Sequence, residues 1–285
     1  LDLRGSGANM AQLTASRIVS LSDTDVLRVR GGSDDGVIAN GAWVAGSNTT
    51  IGGVTYAQYT LSGASLQIET SAARMIGGVV PLSMLNGANG FRLDGVAADD
   101  HAGRSVSSAG DINGDGFDDV VVGAPGTDVN PAGPGDYSGS AYIVFGKASG
   151  FTPSLSLSAL TGSNGFRLDG VADYDVAGFA VRGAGDVDGD GVDDLVIGAY
   201  GVDTNGGESG TTYIVFGKTS GFESSISLST VGEPGGLGGF RLQGVVASDK
   251  SGIAVSGAGD VNGDGFNDLL VGASGAAPNG AASGA

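Results

Sequence analysis

The amino-acid sequence predicts an all-β protein built from repeated four-stranded units, and three observations support this. Short β-branched runs that end in glycine recur along the chain, a pattern typical of buried strands. Glycine supplies 56 of the 285 residues without a period of three, which excludes collagen and fits a chain with many turns. A self-similar segment also recurs about every 75 residues, as it does in propellers and related repeat arrays.

Residues 1–72 lack the repeated motifs and are predicted to form a small, separate β-rich module. A short helix is predicted over Thr14–Ser22, with Thr14 as a possible N-cap. Strands are predicted over Val26–Arg30, Val54–Thr60 and Ala64–Glu69. The last of these alternates most regularly and is expected to be half buried. Gly31–Gly36 resembles one degenerate glycine-rich calcium turn, but ordinary turn chemistry accounts for it better.

Residues 73–89 are predicted to be a linker that contains the first inter-repeat segment. Residues 90–285 hold the repeats, over 90–164, 165–238 and a truncated copy over 239–285. The motif G-F-R-L-[DQ]-G opens each copy and lies 21 residues before an acidic loop. Four short strands are predicted in each unit: G-F-R-L, a strand before the loop, a strand after it, and Y-I-V-F.

The third copy stops at Ser283–Ala285, which matches the segments that lead into Y-I-V-F at Tyr142 and Tyr213. The next strand is therefore expected just past residue 285. An open stack of such units leaves a sheet edge unpaired. The sequence is expected to be a fragment of a longer chain, or to be completed by other copies through its open edges.

Each repeat contains a nine-residue acidic loop that is predicted to bind a metal ion. Oxygen-bearing side chains at loop positions 1, 3, 5 and 9, with glycines at 4 and 6, allow a short backbone to wrap around a hard cation. Position 7 offers a backbone carbonyl. The predicted ligands are Asp111, Asn113, Asp115, Phe117 and Asp119 in the first loop; Asp186, Asp188, Asp190, Val192 and Asp194 in the second; and Asp260, Asn262, Asp264, Phe266 and Asp268 in the third.

Calcium fits this ligand set best, at about one ion per loop and three in all. The loops contain no Cys or His, which disfavours zinc and copper, and magnesium prefers a stiffer, more hydrated shell. The loops are not EF-hands, because position 12 holds Val122, Ile197 or Val271 in place of glutamate and strands follow them. The alternative is three Asx-Gly turns that bind no metal.

Charge and composition narrow the classes of partner. The net charge of −18 argues against nucleic acid, and the sequence has no cysteine and therefore no disulfide. No apolar run approaches the roughly 18 residues of a membrane span. The three loops hold twelve of the 31 acidic residues. These carboxylates repel one another at close range without metal, so folding is expected to depend on calcium.

The sequence does not predict an enzyme. The single histidine, His101, aligns with Val176 and Lys250 in the other repeats, so it is expected to be a solvated loop residue. No nucleophile elbow, P-loop or HExxH motif occurs. Three further carboxylates recur just before Ala-Gly or Ser-Gly and are expected to cap turns: Asp100, Asp175 and Asp249.

The repeats resemble FG-GAP repeats, the blades of the integrin α-subunit propeller and of many bacterial surface proteins. Phe145–Gly146 and Phe216–Gly217 supply the FG element, and Gly123–Pro125 supplies GAP. The resemblance covers roughly residues 75–285. It implies a partial β-propeller in which calcium binds between two strands of a blade; such propellers usually close with seven blades. Residues 1–72 are similar to small β-rich modules beside such repeats in secreted bacterial adhesins of the RTX type.

The resemblance and the composition together favour a calcium-binding structural or adhesion module of an exported bacterial surface protein, located outside the cell. A cell-surface protein or a glycan would be its partner. The alternatives are a lectin-like glycan-binding propeller and an accessory propeller of a larger secreted enzyme. The loops over 126–138 and 201–210 contain one aromatic residue, Tyr137, and the only tryptophan, Trp43, lies in the N-terminal module. This scarcity favours adhesion or a scaffold over sugar binding.

Overall fold

The fold is all-β, as predicted. The computed structural model describes residues 10–14, 18, 26–30, 36–40, 43–70, 73–76, 82, 85, 87, 90–129, 137–219, 221–280 and 283–285. The chain divides into two compact units, one of residues 1–93 with 149–155 and the other of residues 94–148 with 156–285. The boundaries near residues 72 and 89 remain predictions.

The regular elements bounded within the described residues are short strands and the single-turn 3-10 helices Leu157–Ala159 and Leu228–Thr230. The strands up to the repeats are β1 (Met10–Thr14), β2 (Val26–Val29), β3 (Gly36–Asn40), β4 (Val44–Ala45), β5 (Thr49–Ile51), β6 (Val54–Leu61), β7 (Ala64–Glu69), β8 (Ala73–Ile76) and β9 (Arg92–Asp94). The remaining strands are β10 (Ser105–Gly110), β11 (Asp119–Ala124), β12 (Ser140–Val144), β13 (Ser154–Ser156), β14 (Gly165–Asp169), β15 (Ala180–Gly185), β16 (Asp194–Ala199), β17 (Thr211–Val215), β18 (Ser225–Ser227), β19 (Gly239–Gln243), β20 (Ser251–Gly259) and β21 (Asp268–Ala273). Among the residues described, no helix is long and apolar enough to cross a membrane.

The described part of the first unit includes two sheets around its own core. Strands β1, β3 and β8 form a parallel sheet, and β2, β7, β6 and β4 form a mixed one, with β5 also paired to β6. The three predicted strands are confirmed as β2, β6 and β7, and β7 alternates buried and half-buried residues as expected. The core consists of Leu13, Ile18, Val29, Val37, Ala39, Trp43, Ala64, Leu66 and Ile68.

Two sequence predictions in this unit fall largely outside the described residues. Thr14 is the last residue of β1, and of Ala15–Ser22 only Ile18 is described; it is helical in conformation and buried. The helix therefore stays a prediction. Of the candidate turn Gly31–Gly36, only Gly36 is described, and it begins β3.

The second unit is a partial propeller. Blade 1 is the antiparallel sheet β10-β11-β12-β14, to which β18 adds in parallel, and blade 2 is β15-β16-β17-β19. The hairpin β20-β21 begins blade 3. Ala285 exchanges backbone hydrogen bonds with Ala273, the place where Ser140 pairs with Ala124 and Thr211 with Ala199. Ser283–Ala285 therefore match the lead-in segments in structure as well as in sequence.

The predicted assignment of strands to blades is wrong by one strand. The G-F-R-L strand that opens the second repeat, β14, is the outer strand of blade 1, and β19 closes blade 2 in the same way. The physical reason is that residues 145–164, with their 3-10 turn, return the chain antiparallel to β12, whereas the turn after β14 crosses to the next blade. Each sequence repeat thus spans two blades and joins them covalently.

The blades pack closely because glycine faces glycine between them. A Cβ on Gly123 of β11 would overlap the carbonyl of Gly178, and one on Gly198 of β16 would overlap the carbonyl of Gly252. The core between blades 1 and 2 is continuous and includes Val121, Ile143, Leu168, Val181, Leu195 and Ile197. This stacking brings the acidic loops of neighbouring blades together at one end of the sheets.

Candidate metal centre

Each acidic loop connects the two strands of a β-hairpin, as predicted, and these are the first two strands of its blade. Asp111–Asp119 joins β10 to β11, Asp186–Asp194 joins β15 to β16, and Asp260–Asp268 joins β20 to β21. A register shift interrupts each pairing one residue before the loop, between Ser108 and Gly110 in blade 1. A β-bulge of this kind bends the strand and sets the direction in which the following aspartate points.

The carboxylate at position 1 organises its own loop. In the first loop Asp111 Oδ1 accepts a hydrogen bond from Asp115 N (3.0 Å), and Oδ2 accepts one from Gly116 N (2.8 Å). Asp186 and Asp260 bind the amides at positions 5 and 6 of their own loops in the same way. Positive φ values of 69° at Gly114 and 91° at Gly116 show why positions 4 and 6 are glycine.

Positions 3 and 5 continue the same pattern. Asn113, Asp188 and Asn262 each accept a hydrogen bond from the amide at position 5. Asp115, Asp190 and Asp264 each accept one from the amide at position 7, which belongs to Phe117, Val192 and Phe266 respectively. These local bonds are Asx turns, and they hold all three loops in one conformation.

Position 9 anchors the loop to the blade. Asp119 accepts hydrogen bonds from Ile112 N (3.1 Å) and from Gly146 N (2.7 Å). Asp194 is bound equivalently by Val187 N (2.7 Å) and Gly217 N (2.9 Å). The glycine of each FG dipeptide therefore ties the third strand to the loop. Sequence reasoning missed this role, although the FG dipeptide recurs once in each complete blade.

Burial makes the position 9 carboxylates unusual. Asp119 and Asp194 are 1% and 0% exposed. Burial raises the pKa of each to about 6, since desolvation penalises the charged form more than the two backbone hydrogen bonds favour it, and neighbouring aspartates raise it further. A buried carboxylate with no basic partner among its hydrogen bonds is stabilised most directly by a bound cation.

The second loop brings three carboxylates together. Asp186, Asp188 and Asp194 each place one oxygen so that the three oxygens lie within 4.8 Å of one another. This triad could hold a metal ion, and an all-oxygen donor set suits a hard cation such as Ca²⁺. The first and third loops carry an amide oxygen at position 3, from Asn113 and Asn262, which is also a ligand type that calcium accepts.

The other predicted ligands lie in the same three hairpin connections. Asp190 and Asp264 are exposed. Asp268 is half buried and accepts a hydrogen bond from Val261 N (2.7 Å). The residues at position 7 differ in burial: Phe117 and Phe266 are exposed, whereas Val192 is buried. Their contribution as carbonyl ligands remains a prediction.

The recurring carboxylates outside the loops cap turns. Asp100 accepts from Ala97 N, Asp175 from Val171 N and Ala172 N, and Asp249 from Val245 N and Val246 N. All three are buried. This geometry agrees with the capping role expected from the sequence. His101 is exposed and has a positive φ of 54°. The aligned Val176 and Lys250 also have positive φ values, of 51° and 57°. The backbone conformation therefore recurs at this position, whereas the side chain does not.

The fold and the loops define a class: a partial β-propeller with acidic hairpin loops, one of which holds three carboxylates that could bind a metal ion. Comparison with known proteins agrees. The FG-GAP repeat model matches residues 102–144, 177–215 and 251–285, so the chain carries three FG-GAP repeats.

The relatives found are integrin α subunits. The chain is similar to Integrin alpha-PS5 of Drosophila melanogaster, with 29% identity over 238 residues, 78% of the chain and 21% of that protein. It is 35% identical to Integrin alpha pat-2 of Caenorhabditis briggsae over 127 residues, 43% of the chain and 9% of that protein. It is 33% identical to Integrin alpha-V of Gallus gallus over 136 residues, 45% of the chain and 12% of that protein. The chain thus spans about a fifth or less of the length of these relatives.

Proposed function

We propose that the chain is a calcium-binding structural and adhesion module in which one calcium ion per loop fixes the first hairpin of each blade. The observation that carries the proposal is the convergence of Asp186, Asp188 and Asp194 within 4.8 Å. Three carboxylates this close repel one another unless a cation or protons neutralise them.

The residues at loop positions 1, 3 and 9 would contribute to binding the ion in different ways. Position 1 fixes the amides of the loop, position 3 supplies an oxygen from the middle of the loop, and position 9 supplies a buried oxygen from the start of the second strand. Calcium would supply charge neutralisation and a link between the strands that precede and follow the loop. Because position 9 also accepts from Gly146 N or Gly217 N, ordering of the loop extends to the third strand in blades 1 and 2.

The adhesive role rests on the similarity to integrin α subunits and on the absence of catalytic motifs from the sequence. We place the module outside the cell, where calcium is abundant enough for sites built from a few carboxylates. Its assignment to an exported bacterial surface protein rests on the cysteine-free, glycine-rich composition and on the N-terminal module. The partner is proposed to be a cell-surface protein.

Calcium titration by calorimetry tests the metal-binding part. Asp186→Ala removes the residue that accepts the most loop amides, and it should lower the number of bound ions by one. Asp173→Ala is the matched control, because Asp173 is an exposed aspartate in the turn between β14 and β15 and lies outside the loop. Equal calcium binding by both variants and the unchanged protein would refute the site.

A glycan-binding function is the second candidate, and one groove favours it. A groove of about 450 Å³ lies beside the first loop and combines Asn113 and Asp115 with the hydroxyls of Thr161 and Ser163 and the ring of Phe222. Hydroxyls, an aromatic ring and an acidic loop suit a sugar. A glycan array with calcium present tests this candidate: calcium-dependent hits lost on Phe222→Ala would support it, and no signal above background would remove it.

A further inference from the structure

We propose that the metal loops are coupled in series, with Asp193 and Asn267 at loop position 8 as positioning residues for the metal site of the preceding blade. This inference deepens the proposed function and rests on calcium binding for its consequence. The observations behind it are hydrogen bonds and close contacts between the acidic loops of neighbouring blades.

Asp193 holds the backbone of the first ligand residue in the preceding loop. Its Oδ2 accepts a hydrogen bond from Asp111 N (2.9 Å), and its own amide donates to Asp111 O (3.3 Å). Lys218 N, just past the FG dipeptide of blade 2, donates to Ile112 O (3.0 Å). Blade 2 therefore fixes the peptide groups on both sides of the Asp111 side chain.

The same contact recurs between blades 2 and 3. Asn267 N donates to Asp186 O (3.1 Å), as Asp193 N does to Asp111 O. The position 8 side chains also lie against the glycine that precedes each loop. A Cβ on Gly110 would strike Asp193, and a Cβ on Gly185 would strike Asn267.

The third loop shows that this contact comes from the neighbouring blade. Gly259 stands at the same position as Gly110 and Gly185 and has nearly the same φ, 68° against 72° and 71°. Nothing lies within 4 Å of a Cβ built on it. The three loops share the hydrogen bonds that their residues at positions 1, 3 and 5 accept from the amides at positions 5, 6 and 7. The difference at Gly259 therefore isolates what the following blade contributes.

The consequence is a coupling between the metal sites of neighbouring blades. Asp193 lies between Val192 and Asp194, so ordering of the second loop fixes Asp193 as well. Asp193 in turn fixes Asp111, whose carboxylate binds the amides of Asp115 and Gly116. Calcium in the second loop should therefore raise the calcium affinity of the first. By linkage, calcium in the first loop raises the affinity of the second by the same factor.

The experiment compares two variants at the same loop position in the full chain. Asp193→Ala removes the acceptor for Asp111 N, and hydrogen bonds to charged groups are strong enough that the first site should lose about tenfold in calcium affinity. Asp118→Ala is the control, because Asp118 occupies position 8 of the first loop and is exposed. It should change affinity less than about twofold. The probe is calcium itself, measured by calorimetry and native mass spectrometry.

Hydrogen exchange assigns the loss to a site. With calcium bound, Asp193→Ala should lower protection of the Asp115 and Gly116 amides and leave that of Asp190 and Gly191 unchanged. Asp193→Asn should restore protection, since the asparagine Oδ1 can still accept the hydrogen bond from Asp111 N. Equal effects of Asp193→Ala and Asp118→Ala, or loss confined to the second loop, would overturn the coupling.

Exchange in metal-free protein separates this inference from the proposed function. The Asp111 amide should exchange faster in Asp193→Ala than in the unchanged protein without any metal. An unchanged rate would refute the contact itself. Absence of calcium binding by the unchanged protein would instead refute the proposed function, and with it the coupling of the sites.

Discussion

Because glycine packs against glycine between blades, replacing glycine by alanine is expected to change stability differently at two equivalent positions. Gly198 and Gly272 occupy the same place in β16 and β21, and neither has a positive φ. Alanine is therefore allowed by the backbone at both. The two positions differ only in what a methyl group would meet.

At Gly198 a methyl group would overlap the carbonyl oxygen of Gly252 and lie 2.9 Å from its carbon. These are backbone atoms of blade 3, so relief requires the blades to separate. Overpacking of this kind costs about 1–3 kcal/mol. For a unit of this size the loss corresponds to roughly 3–9 °C in melting temperature, at about 3 °C per kcal/mol.

At Gly272 the nearest atom to a methyl group is Ala254 Cβ, at 3.4 Å, which is an ordinary contact. Gly272→Ala should therefore be neutral or stabilise by up to about 1 kcal/mol, because alanine restricts the unfolded chain. The assay is thermal and urea unfolding of both variants at saturating calcium, followed by circular dichroism. A loss at Gly272 as large as that at Gly198 would refute the close packing of blades 2 and 3.

Three further predictions concern carboxylates. Asp175→Ala leaves the amides of Val171 and Ala172 without the buried carboxylate that accepts from them and should cost about 1–3 kcal/mol in urea unfolding, so an unchanged midpoint would argue against capping. Metal-stripped protein should lose stability as the pH rises from about 4 to 6, because Asp119 and Asp194 bind a proton more tightly when folded, with a pKa of about 6 against 3.8. The difference corresponds to about 3 kcal/mol for each group, and urea unfolding that improves over this range would contradict it. Asp190→Ala should remove one bound calcium ion by mass spectrometry, and an unchanged stoichiometry would exclude Asp190 from the ligands.

Local pattern was enough to predict the hairpins that carry the metal loops. The runs that follow the loops, such as Leu195–Ala199, are continuous and β-branched because both faces of β16 are buried. The spacing of oxygens from Asp186 to Asp194 predicted a loop in which side chains converge, and Asp186, Asp188 and Asp194 do converge. These features are encoded within nine to fifteen consecutive residues, which is why sequence reasoning could find them.

Features that depend on distant residues could not be predicted. A tandem repeat does not indicate where a blade begins, so β14 was grouped with the wrong blade although the strand itself was correctly predicted. The parallel sheet of β1, β3 and β8 was missed because its pairings join segments that are distant in sequence, such as Met10–Thr14 and Gly36–Asn40. The role of Asp193 was missed because its partner, Asp111, is 82 residues away in sequence.

The central claim is that the blades depend on calcium held by the acidic loops. The most direct test is thermal unfolding of the protein with excess calcium and then with chelator, together with metal counting by mass spectrometry. We expect about three bound calcium ions and a large fall in melting temperature on chelation, since a ligand that binds only the folded state stabilises it. No bound metal and an unchanged melting temperature would show that the loops are turns whose conformation is maintained by their own Asx hydrogen bonds.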